Sequence, residues 1–193
     1  YAGTTRQMRH LEDQALQFTR NGVLYVVIGK NDPGGKAVIS WAKTNQAIKK
    51  QLGSNLQTHK TAGSGRRGLP DVAIDQAGNA HFVYGSKPGL VFYNKYSASH
   101  QKIHAEDQQI ISNLGTWHLG CGISAVSVSD NGKFVLVVGL KSDGSPHAAN
   151  SEIMYTVSKD SGNTWSAAKG LNVFTNGGEG RRRPRLDRKS TRL

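Results

Sequence analysis

Two arginine-bearing segments of the chain run into a proline: Gly65-Arg66-Arg67-Gly68-Leu69-Pro70 and Gly180-Arg181-Arg182-Arg183-Pro184, 115 residues apart. A guanidinium keeps its charge and offers a planar two-pronged donor, so converging arginines suit a carboxylate. Arg66, Arg67, Arg181 and Arg182 are the candidate ligand-binding residues, and an acidic ligand is the chemistry they fit. Their blander role is pairing with local acids such as Glu179, or with water. The candidate proton-transfer groups are Asp143 or Asp32 as an acid, Glu152 as a base, and His118 and His147, whose ordinary pKa lies near neutrality. The single cysteine, Cys121, rules out an internal disulfide and a thiolate metal site. No cofactor or metal ion is called for.

These residues need a frame, and the frame is a repeat. Gly22-Val-Leu-Tyr-Val-Val-Ile-Gly29, Gly78-Asn-Ala-His-Phe-Val-Tyr-Gly85 and Gly132-Lys-Phe-Val-Leu-Val-Val-Gly139 align without gaps at spacings of 56 and 54 residues. Each is a β-branched and aromatic run, preceded by a shorter one at Leu16–Thr19, Val72–Asp75 and Val126–Ser129. The intervening Asn-Gly and Gln-Ala-Gly segments supply the positive φ that a hairpin needs. A third strand follows at Ala37–Lys43, Leu90–Tyr96 and Ile153–Ser158, with weaker fourth strands such as Ile103–Ile111 and Gly170–Phe174. Asn45–Leu52 is read as a helical turn. A meander repeated in constant order predicts an all-β propeller of four-stranded antiparallel blades, with three stacked sheets in a sandwich as the alternative. The blades span about 10–62, 63–115 and 116–178, and a further one starts at 179–186.

Ser158-Lys-Asp160-Ser-Gly162-Asn-Thr-Trp165 has the form Ser-x-Asp-x-Gly-x-Thr-Trp, and this motif resembles the Asp-box of sialidase-like (BNR-repeat) propellers. Its aspartate accepts backbone N–H bonds, its glycine takes a left-handed conformation and its tryptophan buries a ring. The resemblance implies six or seven blades in the whole protein, about three of them here. It also implies that the box is structural and lies on the face away from the ligand, so Asp160 is not expected to be catalytic. The ligand face then carries the approach to each first strand and the loops between second and third strands. This is where the arginines, Trp117, His118, Asp143, His147 and Glu152 fall.

Within that family a sialidase-like exo-glycosidase on acidic glycans leads, the arginines holding the substrate carboxylate. The tyrosine nucleophile with its glutamate is not identifiable in this chain, and Tyr84 and Tyr93 are expected to pack inside a blade. A lyase acting on uronate-containing glycans, with His118 or His147 moving protons, is the alternative; a non-catalytic glycan-binding propeller is the third reading. His81, inside a strand, is expected to pack.

Bulk composition fits this class. With 36% apolar residues, 20% charged residues and 23 glycines, the chain is globular and rich in tight turns. The formal charge of +12 favours an anionic partner, but the basic residues are not interleaved with aromatics in a nucleic-acid motif, so a nucleic-acid partner is not expected. No apolar run is long enough to span a bilayer. Residues 187–193, Asp-Arg-Lys-Ser-Thr-Arg-Leu, resemble the translation of a sequencing-adapter oligonucleotide; setting them aside leaves 22 bases against 12 acids, a charge of +10. The chain is thus expected to be a fragment of a secreted or periplasmic protein whose remaining blades, and part of whose site, lie elsewhere.

Overall fold

The computed structural model describes residues 13–18, 24–31, 37–44, 56–60, 67–86, 89–99, 101–114, 123–141 and 150–176, and of these the side chains of 70–85, 89–99, 101–114, 124–141 and 152–171. Among these residues twelve strands form three four-stranded antiparallel sheets. The first contains β1 (Asp13–Phe18), β2 (Leu24–Asn31), β3 (Ala37–Thr44) and β4 (Leu56–Lys60). The second contains β5 (Arg67–Ile74), β6 (Ala80–Ser86), β7 (Leu90–Tyr96) and β8 (Gln108–Ile111). The third contains β9 (Ile123–Val128), β10 (Val135–Lys141), β11 (Asn150–Ser158) and β12 (Lys169–Asn176). In each sheet the strands lie in chain order. The expected hairpins, third strands and meander are all present; the Asn45–Leu52 segment lies outside the described residues.

The sheets meet through their first strands. β5 packs against β1 and β2, and β9 repeats the relation one sheet on by packing against β5 and β6. One relation applied twice is radial repetition. The second sheet shows what that demands of a sequence, because both of its faces are apolar and each belongs to a different cluster. Val72, Ile74, Ala80, Phe82, Tyr84, Phe92 and Tyr96 pack together on one face. Ala73, Val83, Val91 and Tyr93 face the other way, joining Val126, Val128, Val135 and Val137 of the third sheet. Successive residues of β6 therefore alternate between two cores, as the period of a strand requires.

Local chemistry accounts for the strand boundaries. The register of β5 against β6 shifts between Gly68 and Asp71, where Leu69 and Pro70 sit; a proline cannot donate to the ladder and is accommodated at such a bulge. Gly78 and Gly132 close the two described hairpins with φ of 86° and 70°. The expected fourth strand over Ile103–Ile111 is shorter, beginning at Gln108. Side chains occupy the carbonyls upstream of it: Asn94 Nδ2 donates to the His104 carbonyl at 3.1 Å and Lys102 Nζ to that of Ala105 at 2.8 Å.

Leu114 follows β8, is fully buried and lies against Gly139 of the third sheet. Truncating it leaves a void in the seam between sheets. Leu114→Ala is expected to cost about 2–5 kcal/mol in a urea titration, and an unchanged midpoint would contradict the packing described.

Candidate functional site

Antiparallel order sorts the connections between two ends of the sheets. The β1–β2 and β3–β4 connections and their counterparts lie at one end. The β2–β3 type of loop and the links between sheets lie at the other. The first is called here the turn end and the second the loop end.

At the turn end many of the described polar groups bond one another. In the Ser158–Trp165 turn, Asp160 Oδ1 accepts the Thr164 N–H at 2.9 Å and the Ser158 hydroxyl at 2.8 Å, and Oδ2 accepts the Thr164 hydroxyl at 2.6 Å. Ser158 Oγ accepts the Gly162 N–H at 2.7 Å. The bonds from Thr164, then Ser158, hold the Asp160 carboxyl down at about 2. Ser161 and Gly162 are left-handed, at φ of 61° and 86°. Trp165 lies edge-on to Tyr93 with centroids 4.8 Å apart, and its Nε1 donates to Gln108 Oε1 at 2.7 Å. All four motif residues, Ser158, Asp160, Gly162 and Trp165, thus build a turn that docks the third sheet onto the second. The matching turn of the second sheet keeps part of this pattern without the aspartate: Ser97 Oγ accepts the Gln101 N–H at 3.0 Å and bonds Ser99 Oγ at 2.9 Å.

Behind these turns runs a buried polar chain. Asp75 accepts the Asn79 backbone and side-chain N–H groups, both at 2.8 Å. His81 Nε2 lies 3.4 Å from Asp75 Oδ2, His81 Nδ1 lies 2.8 Å from the Tyr93 hydroxyl, and that hydroxyl lies 3.5 Å from the Ser161 carbonyl. Burial pushes the Asp75 carboxyl up, but the bonds from His81 and Asn79 outweigh it and the net shift is downward. Burial lowers His81 against the opposing pull of Asp75, and burial raises Tyr93. A second cluster, facing the other way, joins the Tyr84 hydroxyl, Asn94 Nδ2 and Lys102 to the enclosed carboxylate of Asp107. Burial first, and then Asp107, pushes Tyr96 up to about 12. His81, Tyr84 and Tyr93 are fully buried, as their strand positions predict.

Two of the candidate residues, Arg67 and Glu152, lie at the loop end among the described residues. β5 begins there at Arg67, opposite Ser86. Lys141 ends β10 opposite Glu152 of β11, with Nζ 3.7 Å from Glu152 Oε2. The Glu152 carboxylate lies over Gly170 of β12, where a Cβ would collide with it. Glu152 is thus held by a lysine and a neighbouring strand. Asp71 of β5 accepts the Val126 N–H of β9 at 2.9 Å, which ties two first strands together, a role its sequence position did not signal. His118, Asp143, His147, Arg66, Arg181 and Arg182, with the side chain of Arg67, lie outside the described residues. Among the described residues no cluster of His, Cys, Asp and Glu could hold a metal ion.

No family model matches the chain, and no curated protein matches it. Solved structures do: a GH43 endo-arabinanase from Bacillus licheniformis superposes with a TM-score of 0.55 at 14% identity, over 86% of this chain and 60% of that one. The fold is a β-propeller. The three sheets are blades of it, and the radial reading prevails over the stacked sandwich because neighbouring blades meet chiefly through their first strands and the similar structure is a propeller. At this identity the likeness concerns the scaffold, and it points to no sialidase in particular. The chain spans 60% of that arabinanase structure.

Acid should weaken the blades in two stages. His81 and His104 are both held below the ordinary 6.5 by burial, so the unfolded chain takes up protons first as the pH falls past about 6.5, and stability declines from there. Asp75 and Asp160 are depressed, so their contribution is complete above the ordinary 3.8 and is lost as pH falls through their folded values, about 2 for Asp160. Urea midpoints should therefore drop from pH 7.5 to 5 and again below 4. A profile flat over both ranges would contradict these environments.

Proposed function

We propose that the chain is part of a carbohydrate-active propeller, a glycoside hydrolase that handles glycans at the loop end of its blades. The carrying observation is the division between the two ends. At the turn end Asp75 and Asp160 are spent on their own loops, while β5 starts at the loop end from Arg67, the last residue of one of the two Gly-Arg-Arg segments of the sequence. The likeness to an arabinan-cleaving propeller supports glycan hydrolysis as the activity. The finer reading is a sialidase-like exo-glycosidase acting on acidic glycans. Arg66, Arg67, Arg181 and Arg182 hold the substrate carboxylate, and Asp143, Glu152, His118 and His147 are the candidates for proton transfer. A basic chain of pI near 10.0 favours such a substrate by long-range attraction. Export to a secreted or periplasmic location, where such polymers are met, belongs to the same proposal.

The test is an assay on sialylated, uronate-rich and arabinan substrates that follows both reducing ends and the absorbance of unsaturated uronate. Reducing ends released from acidic glycans without that absorbance would support the proposal. The absorbance would mean a lyase, release from arabinan alone would remove the acidic-substrate reading, and binding without turnover would leave a glycan-binding propeller. Arg66→Ala and Arg181→Ala should each raise KM for a carboxylated substrate roughly tenfold or more, as expected for a lost charge-assisted bond, with little change on a neutral one. Equal losses on both substrates would contradict carboxylate recognition.

A further inference from the structure

The Asp75, His81, Tyr93 and Ser161 chain crosses from the second blade to the third, and none of its groups takes part in the proposed chemistry. Its geometry selects one arrangement of protons. His81 Nε2 faces the Asp75 carboxylate at 3.4 Å; without a proton there, two lone pairs would oppose each other in a buried site, so Nε2 carries the hydrogen of the neutral ring. Nδ1 is then an acceptor, and the Tyr93 hydroxyl at 2.8 Å is its donor. A hydroxyl has one proton to give. The Ser161 carbonyl, 3.5 Å from the same hydroxyl, is left to Lys95 Nζ, which donates to it at 3.1 Å.

We propose that His81 is a proton-driven latch between the second and third blades: protonation at Nδ1 reverses the His81–Tyr93 hydrogen bond and turns the tyrosine proton to the Ser161 carbonyl. The added proton comes from solvent, and the hydroxyl only rotates. Before protonation the tyrosine bonds within its own blade; afterwards it bonds across the seam to the Asp160 turn. The contact has no slack, since a Cβ on Gly162 would overlap the Tyr93 hydroxyl and one on Gly132 would come within 2.5 Å of Asp75 Oδ2. The charged and titratable groups around the ring come from every element packed there. Asp75, on the β5–β6 turn, stabilises the imidazolium. Lys95 of β7 opposes it, as does His104 of the β7–β8 connection when protonated, while Asp160 of the facing turn bears on Tyr93. Burial sets the protonation below the ordinary histidine range, so the latch answers to acid conditions and is at rest near neutrality.

The test is NMR on the isotope-labelled chain, titrated from about pH 7.5 to pH 4.5, a range that brackets ordinary histidine behaviour. The expected result is a neutral His81 ring protonated at Nε2, with the Ser161 carbonyl carbon shifting at the same midpoint as the ring. In Tyr93→Phe the ring should still titrate while the carbonyl carbon stays still. A neutral ring protonated at Nδ1, or a carbonyl carbon silent while His81 titrates, would overturn the proposal in the unaltered protein, whether or not the variant folds. A carbonyl carbon that shifts equally in Tyr93→Phe would overturn it as well.

Discussion

The structure depends on one constraint: a strand whose two faces are both apolar must be covered on both sides. β6 alternates between two separate clusters, so the second sheet can exist only between neighbours. Repeating a four-stranded unit around an axis meets that need with a single packing solution, first strand against first strand, and closes the question between radial and stacked arrangement. Burial of this kind is non-directional. Register between blades is supplied by directed contacts at the seam: the Asp71 carboxylate on the Val126 N–H, Trp165 on Tyr93 and Gln108, and the Asp75 turn on the Asp130 carbonyl through the Gln76 N–H at 2.8 Å.

That seam gives the blades two unlike ends. At the turn end Asp75 and Asp160 accept hydrogen bonds from their own loops, which lowers their affinity for a proton and leaves them little part in chemistry. Asp160 shows why a motif aspartate is not automatically a catalyst: each oxygen already has a fixed donor, and its affinity for a proton is correspondingly low. The loop end carries the connections whose lengths vary most between repeats, which is where loops on a rigid scaffold usually bear function. Positioning by β5 and β10, both anchored in the two-sided core, lets such loops differ without disturbing the frame.

Much of the frame was legible because it is written locally. Asn131-Gly132 between two apolar runs is a hairpin at the level of nearest neighbours, and Ser158, Asp160, Gly162 and Thr164 bond one another within a single turn. β4 escaped notice because Leu-Gln-Thr-His-Lys is largely polar, as suits a strand at the edge of its sheet. The extension of β5 through Pro70 escaped because a bulge depends on the partner strand. His81 and Tyr93 read correctly as packing residues, but their chain of hydrogen bonds did not emerge. It joins groups 12 and 68 residues apart, and only the juxtaposition of two blades brings them together. The arginine repeat stood out by composition alone; whether its members converge is a matter of loop geometry that no local pattern encodes.

On the proposed function, the loop end receives the glycan and the turn end holds the blades together. Hydrogen–deuterium exchange of the protein with and without a saturating acidic oligosaccharide tests it most directly. Ligand-dependent protection is expected in segments 61–68, 86–89, 115–122 and 142–149. Segments 75–79, 97–107, 129–134 and 159–168 should exchange at unchanged rates. Protection concentrated in the second set, with the first unaffected, would place the ligand at the turn end and overturn the proposed function of the loop end.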